Sequence, residues 1–204
     1  MNTHFDTKNS QKQHQTVFVM MSGGVDSSVA AALLKKQEMD VRGIHIKMWS
    51  DPAIPCAFKE DRLEAARAAA HLDIPFETWD FTKEYKDAVV EYMIAEYRAG
   101  RTPNPDVMCN REIKFGIFFK KALERGADYI ATGHYVRLTT KFEILNLESH
   151  KIPNSKFQLL VARDLNKDQS YFLWTLTQKQ LKHCLFPIGE YTKPEVRQLA
   201  RLFE

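Results

Sequence analysis

Val17-Phe18-Val19-Met20-Met21-Ser22-Gly23-Gly24-Val25-Asp26-Ser27-Ser28 decides how this chain is read. β-compatible apolar residues run straight into Ser-Gly-Gly, and a helical pattern begins at Val25 and continues to Leu34. Gly23 and Gly24 carry no Cβ, so backbone N–H groups there can approach a ligand closely and take dihedrals closed to other residues. The following helix points its positive end and its unpaired N–H groups into the same turn. Strand, glycine turn and helix in this order make a trap for phosphate.

The string also limits the phosphate chemistry. A Walker A loop needs a longer Gly-rich span closed by Gly-Lys-Ser/Thr, and no lysine follows here. The spacing is not the GxGxxG of dinucleotide binders either. SGGVDSS resembles the PP-loop of enzymes that cut ATP between its α and β phosphates, release pyrophosphate and activate a substrate as an adenylate. The plainer alternative is a Gly-rich turn whose Ser and Asp only cap a helix.

At 204 residues, with 44% hydrophobic and 27% charged residues, the chain has the size and composition of a soluble globular protein. No apolar run approaches the roughly 20 residues that span a bilayer, so no membrane role is expected. Residues 1–15 are polar, lack an apolar core and contain no arginine, which argues against a signal or transit peptide. They are expected to form a disordered tail, with residues 16–204 forming the catalytic domain, in the cytoplasm. A net charge of +3 permits an anionic partner without demanding one. Cys56, Cys109 and Cys184 are too few and too scattered for a disulfide framework or a zinc site, and no metal cluster is expected.

Further strands are expected at Val41–Trp49, Pro75–Phe81 and Asp128–Thr132, and helices at Glu60–Leu72, Lys83–Arg98 and Asn110–Arg125. This alternation predicts an α/β fold, a parallel sheet with helices on both faces and ligands beyond the carboxyl ends of the strands. Tyr135–Arg163 reads as a β excursion, and Asp168–Leu176 and Thr177–Cys184 as helical. Thr192 and Glu195 form a capping box that opens a last helix. That helix runs to Glu204 without a stop signal, so the chain is expected to be cut short.

Arg101-Thr102-Pro103-Asn104-Pro105-Asp106-Val107-Met108-Cys109-Asn110 carries the second constellation. Two prolines stiffen the loop. Cys109 is read as standing immediately before a helix, where the dipole and free N–H groups favour thiolate, with Lys114 one turn on adding positive potential. The competing reading is a buried cysteine that starts a core helix.

MSGGVDSS, GRTPNPDVMCNREIKF, ADYIATGHY, LNKDQSYFLW and LFPIGEYTKPEVRQLA, in this order, resemble the tRNA-specific 2-thiouridylase family. The resemblance covers most of the chain from Val17 onward. It implies a Rossmann-like PP-loop fold of the adenine nucleotide α-hydrolase type. It also implies a two-stage reaction on the wobble uridine of tRNA. ATP, with Mg2+, adenylates the uracil 2-oxygen, and sulfur from a cysteine persulfide then displaces AMP. Carried over by motif, Met20, Met21, Ser22, Gly23, Gly24, Val25, Asp26 and Ser27 would bind ATP, with Ile46 beside the adenine and Gly133 near the nucleotide. Asp26 would share in catalysis. Asn104, Pro105 and Asp106 would contact the target base. His134, Lys167, Asp168 and Gln169 would meet tRNA. Cys109 corresponds to the family's first catalytic cysteine, which forms a disulfide as sulfur is released. The sulfur would come from a persulfide relay protein or a cysteine desulfurase.

From the residues alone, His134 could be a packed histidine, and Lys167-Asp168-Gln169 a helix start with Asp168 as its cap. Cys56 and Cys184 read as structural or surface thiols. Lys114, Lys120, Lys121 and Arg125 fit a solvated face as well as an RNA groove. The chain departs from the family at Met20, where a small residue is usual, and at Ile46, where methionine is usual. The family's second catalytic cysteine, central domain and C-terminal β-barrel lie beyond the stretch matched here, so this chain alone is expected not to complete thiolation. Two other readings stay open: a nucleotide- or RNA-binding remnant without turnover, and another PP-loop adenylating enzyme such as an amide-forming ligase.

Overall fold

The computed structural model describes residues 15–51, 53, 57–140 and 156–203. The expectations for the N-terminal tail before residue 15 and for Cys56 lie outside the described residues. Strands are β1 Thr16–Met20, β2 Asp40–Lys47, β3 Phe76–Asp80, β4 Tyr129–Ala131, β5 Arg137–Thr139, β6 Gln158–Leu160 and β7 Cys184–Leu185. Five of them form one parallel sheet in the order β3-β2-β1-β4-β7. β5 and β6 pair antiparallel as a separate ribbon, as expected for the excursion after Tyr135.

Strand periodicity explains why both faces of the sheet are covered. On β1, Val17 and Val19, followed by Met21, point to one side, and Phe18 and Met20 to the other. The first set packs with Ala31 and Leu34 of helix α1, Val25–Lys36, and with Ala65 and Ala69 of α2, Phe58–His71. The second set meets Trp79, Ile113, Phe115 and Phe118. Phe18, Phe115 and Phe118 are essentially inaccessible, and burying such a ring contributes about 1.5–3 kcal/mol.

The chain between Thr82 and Arg98 is helical, as expected, but it is not uniformly wound. α3, Thr82–Tyr85, leads into a π-wound stretch, Lys86–Val90, and then into α4, Glu91–Arg98. The next helix differs more from expectation. It starts at Pro105 rather than Asn110, as α5, Pro105–Met108, continues π-wound over Cys109–Phe118 and ends as α6, Phe119–Glu124. Asn104 is its N-cap: Val107 N donates to Asn104 Oδ1 at 3.1 Å, and Pro105 supplies the first-turn φ without wasting an N–H. Gly126, at φ +87°, closes it.

Toward the C-terminus the helical content is smaller than the pattern suggested. Residues Ser170–Leu173 form one 3₁₀ turn, and α7 covers only Gln178–Leu181. Cys184, expected at a helix end, lies in β7, whose two residues pair with Ile130 and Ala131. So short a strand leaves no alternation to detect. α8, Lys193–Leu202, begins with the expected capping box: Thr192 and Glu195 bond reciprocally. It packs through Val196 on Val29, Ala30 and Leu33 of α1.

Candidate functional site

β1 and β4 are neighbours whose connections leave on opposite sides, so a crevice opens beyond their carboxyl ends. Ser22 follows β1 and Gly133 follows β4. Between them lies a cavity of about 440 Å³, lined among others by Met20, Met21, Ser22, Asp26, Ser27 and Gly133. Ile46, Lys114, His134 and Gln169 also line it. A second cavity of about 290 Å³ adjoins it, sharing Asp26, Gly133 and Gln169 and adding Lys167, Asp168 and Lys193.

The glycine turn is folded for close approach. Gly23 takes φ +89°, and a Cβ there would strike the Asp61 carbonyl at 2.3 Å. A Cβ on Gly133 would meet Asp26 C and Ser27 N at 2.8 Å, so β4's end lies directly on the first turn of α1. No side chain caps that turn. Ser27 and Ser28 hydroxyls instead donate back to the Gly24 carbonyl, at 3.0 and 3.2 Å, and Ser22 N donates to Ser27 Oγ at 3.2 Å. The serines brace the loop and leave the first turn of α1 without a side-chain cap, an arrangement that can take an anion. On the apolar side, the His45 Nδ1–H donates to the Met21 carbonyl at 2.8 Å, and its ring lies tilted against Phe58.

Asp26 does not stand free. Lys193 Nζ and the Tyr135 hydroxyl both bond Oδ1, at 2.6 and 2.8 Å. Burial first, then this bond, pushes the Tyr135 phenol well up, so it remains a donor. Sequence reasoning missed both partners. Tyr135 sits in a recognised motif, and Lys193 is the first residue after a helix cap, but neither position announces a contact with α1.

His134 lines the first cavity yet is almost wholly buried, beside Phe115 and 2.7 Å from the Thr132 hydroxyl. Burial, with help from Lys114, pushes its pKa down to about 3, so the imidazole is neutral and presents no cation. Gln169 lines the crevice and is held by two hydrogen bonds to Tyr135: Gln169 N donates to the Tyr135 carbonyl and Tyr135 N donates to Gln169 Oε1, each at 2.9 Å. Asp168 turns inward instead: Oδ1 accepts from Ala162 N and Oδ2 from the Ser170 hydroxyl. It also lines the second cavity, and it is not a helix cap: the 3₁₀ turn that follows has Gln169 at its N-cap and no side-chain cap bond.

Cys109 requires a correction. It does not precede a helix: its N–H is already bonded to the carbonyls of Pro105 and Asp106, so no free helix end faces the sulfur. The side chain is buried, with Sγ 4.0 Å from Met48 Sδ, and Met48 rather than Cys109 lines the cavity. Burial raises the thiol above its ordinary 9.0, although Lys114 pulls it down and Asp106 adds to the rise. At neutral pH it is a thiol. Cys184 is buried too, and burial pushes it up to about 12. Both cysteines are free. Asn104 caps this helix, Pro105 and Asp106 open its first turn, and none of the three lines either cavity. Among the described residues no group of three or more His, Cys, Asp or Glu is placed to hold a metal ion, and no helix is long and apolar enough to cross a membrane.

Curated relatives agree with the motif resemblance. The tRNA-specific 2-thiouridylase MnmA of Flavobacterium johnsoniae is 51% identical over 192 residues, covering 92% of this chain and 47% of its own. Its counterpart from Nitrosomonas eutropha is 52% identical over 186 residues, covering 90% and 48%. The chain therefore spans about half the length of the curated relatives it matches. Among solved structures, the U34-tRNA thiolase NcsA from Methanococcus maripaludis shares the fold, with TM-score 0.56 at 19% identity over 94% of this chain and 58% of that one. A predicted subunit of tRNA methyltransferase from Methanocaldococcus jannaschii gives TM-score 0.51 at 15% identity, over 92% and 74%. The family described as tRNA methyl transferase HUP domain matches residues 15–204, which takes in the whole sheet, both cavities and Cys109. The chain belongs to that family.

Proposed function

We propose that this chain carries the ATP-cleaving and uridine-activating part of a tRNA 2-thiouridylase. The observation that carries the reading is the uncapped first turn of α1, braced by serines and closed over by Gly133, at the mouth of a cavity walled by Met20, Ile46 and Met21. The apolar walls suit an adenine and the N–H cradle suits its phosphates. A magnesium ion accompanying ATP would be held mainly by those phosphates, with Asp26 the nearest carboxylate in the loop.

A uracil 2-oxygen is a poor leaving group; adenylation makes it a good one. The uracil oxygen attacks the α phosphorus, pyrophosphate departs with the bond's electron pair, and the uracil N3 proton goes to solvent. A persulfide sulfur then attacks C2 and AMP leaves. Cys109 completes release by closing a disulfide with the cysteine that brought the sulfur. It must first lose its proton, and Lys114 is the cation placed to favour that. Cys184 does not suit the carrier's role: it lies in β7, lines neither cavity and donates its Sγ–H to the Gln180 carbonyl. The carrier thiol comes from elsewhere than the described residues, or from a sulfur-relay protein or cysteine desulfurase. The tRNA would approach across Asn104, Pro105, Asp106, Lys167 and Gln169.

The test measures pyrophosphate release from ATP with and without unmodified tRNA bearing a wobble uridine. Release that requires tRNA and survives Cys109→Ser supports the reading. No ATP binding by calorimetry overturns it, and release indifferent to tRNA points to a different PP-loop ligase.

A further inference from the structure

Lys193 is the first residue of α8, and its backbone is fixed twice over. The Thr192–Glu195 box holds the turn, and Asp164, itself nearly buried, accepts from Lys193 N at 2.8 Å. From there the side chain crosses to the opposite element and places Nζ 2.6 Å from Asp26 Oδ1, with only 18% of the side chain exposed. Asp26 accounts for one of the three ammonium donors. The same lysine lines the second cavity together with Lys167, and that cavity joins the first across Asp26 and Gly133. A nucleotide whose base fills the apolar end and whose α phosphate rests on the Ser22 cradle has its distal phosphates at this junction.

We propose that Lys193 binds the β and γ phosphates of ATP and, through them, the departing pyrophosphate. This rests on the ATP-cleaving reading above. Before nucleotide binds, Asp26 holds the ammonium in place and Tyr135 holds Asp26. When the triphosphate arrives, the free donors of Lys193 take phosphate oxygens in the second cavity. During adenylation the α phosphorus gains the uracil oxygen and loses the bridging oxygen, whose electron pair leaves on pyrophosphate. Lys193 faces the charge that grows there. Lysine suits this as a point charge able to share three donors between a carboxylate and phosphates. The competing role is a staple between α1 and α8, which would serve stability alone.

Calorimetry on the 204-residue chain with ATP, AMP and inorganic pyrophosphate separates the two. Lys193→Gln should weaken ATP and pyrophosphate by about tenfold or more while AMP stays within about twofold, and Lys193→Arg should recover most of the loss. A pure staple predicts that ATP and AMP weaken together or not at all, and either result overturns the proposal. A second measurement needs no variant: amine-reactive labelling of the native chain, mapped by mass spectrometry. ATP and pyrophosphate should slow labelling of Lys193, and AMP should not. Equal labelling with ATP bound overturns the proposal too. A native chain that binds no ATP removes the functional reading itself, whereas one that binds ATP with no loss in Lys193→Gln removes only the role of Lys193.

Discussion

The two sides of the crevice differ in how far they are finished. On the Ser22 side, the loop, the first turn of α1 and Gly133 are already fitted to one another, and serine hydroxyls brace the turn without capping it. On the Cys109 side, the sulfur is buried behind Met48 and held as a thiol. Under the proposed function, the difference follows from what each side would do. Unpaired N–H groups at an open helix end lose little, because water can serve them until an anion arrives. A standing thiolate is nucleophilic and open to oxidation, so keeping it protonated until substrate is seated avoids side reactions. An anion site can be built in advance; a reactive sulfur is better released late.

The sharpest way to break this contrast is Gly133→Ala. Its Cβ would meet the backbone of Asp26 and Ser27 at 2.8 Å, and no flexible side chain is there to yield. Overpacking should cost about 1–3 kcal/mol of stability and remove measurable ATP binding by calorimetry. ATP affinity equal to the parent's would mean that the cradle is not rigid.

His134 sets the next largest effect. Its pKa is pushed down to about 3 in the folded chain from the ordinary 6.5, so between those values the unfolded chain binds the extra proton. Stability is therefore full above pH 6.5 and falls as pH drops toward 3. Urea titrations at neutral and mildly acidic pH should show this fall, and His134→Gln should flatten it. An equal fall in both proteins would assign the acid sensitivity to other groups.

Thr192→Ala removes a side-chain cap from α8 and should cost about 1 kcal/mol in denaturant titrations. A smaller loss would mean that packing of Val196 on α1 fixes the helix by itself. The mildest effect belongs to Met48→Ala, which should speed iodoacetamide labelling of Cys109 by about two- to threefold at fixed pH, by access alone. In both proteins the labelling rate should keep rising past pH 9.0, because burial holds the thiol above that value. A plateau near neutrality would place a thiolate on this side after all.

Much of this was legible in the chain because the signals were local. The strand–glycine–helix run, the capping box at Thr192 and Glu195, and the helix stop at Gly126 all stand on neighbouring residues, and the structure contains each of them. The differences arise at one ambiguous local signal and where distant parts meet. Asn104-Pro105 is itself a helix start, an N-cap followed by proline at N1, yet the proline pair reads as loop and sets the expected helix start five positions late. That displacement moved Cys109 to a helix end it does not occupy. Lys193 belongs to the crevice only because α8 packs across α1, and Tyr135 reaches Asp26 from beyond β4; no spacing along the chain reveals either contact. β7 has two residues, too few for a pattern.

The winding of Cys109–Phe118 has a consequence for the thiol's surroundings. In a π-wound stretch the backbone hydrogen bonds join residues five apart, and the wider turn brings the side chains of such a pair toward one face. Cys109 and Lys114 are such a pair, and Lys114 acts electrostatically on both Cys109 and His134. In regular α-helical winding the same five positions would leave the two side chains about 140° apart around the axis. The wider turn thus works as a phase setting. It brings one positive charge round to the sulfur and the cavity together, and a local change of pitch, with no residue replaced, would carry that charge away from both.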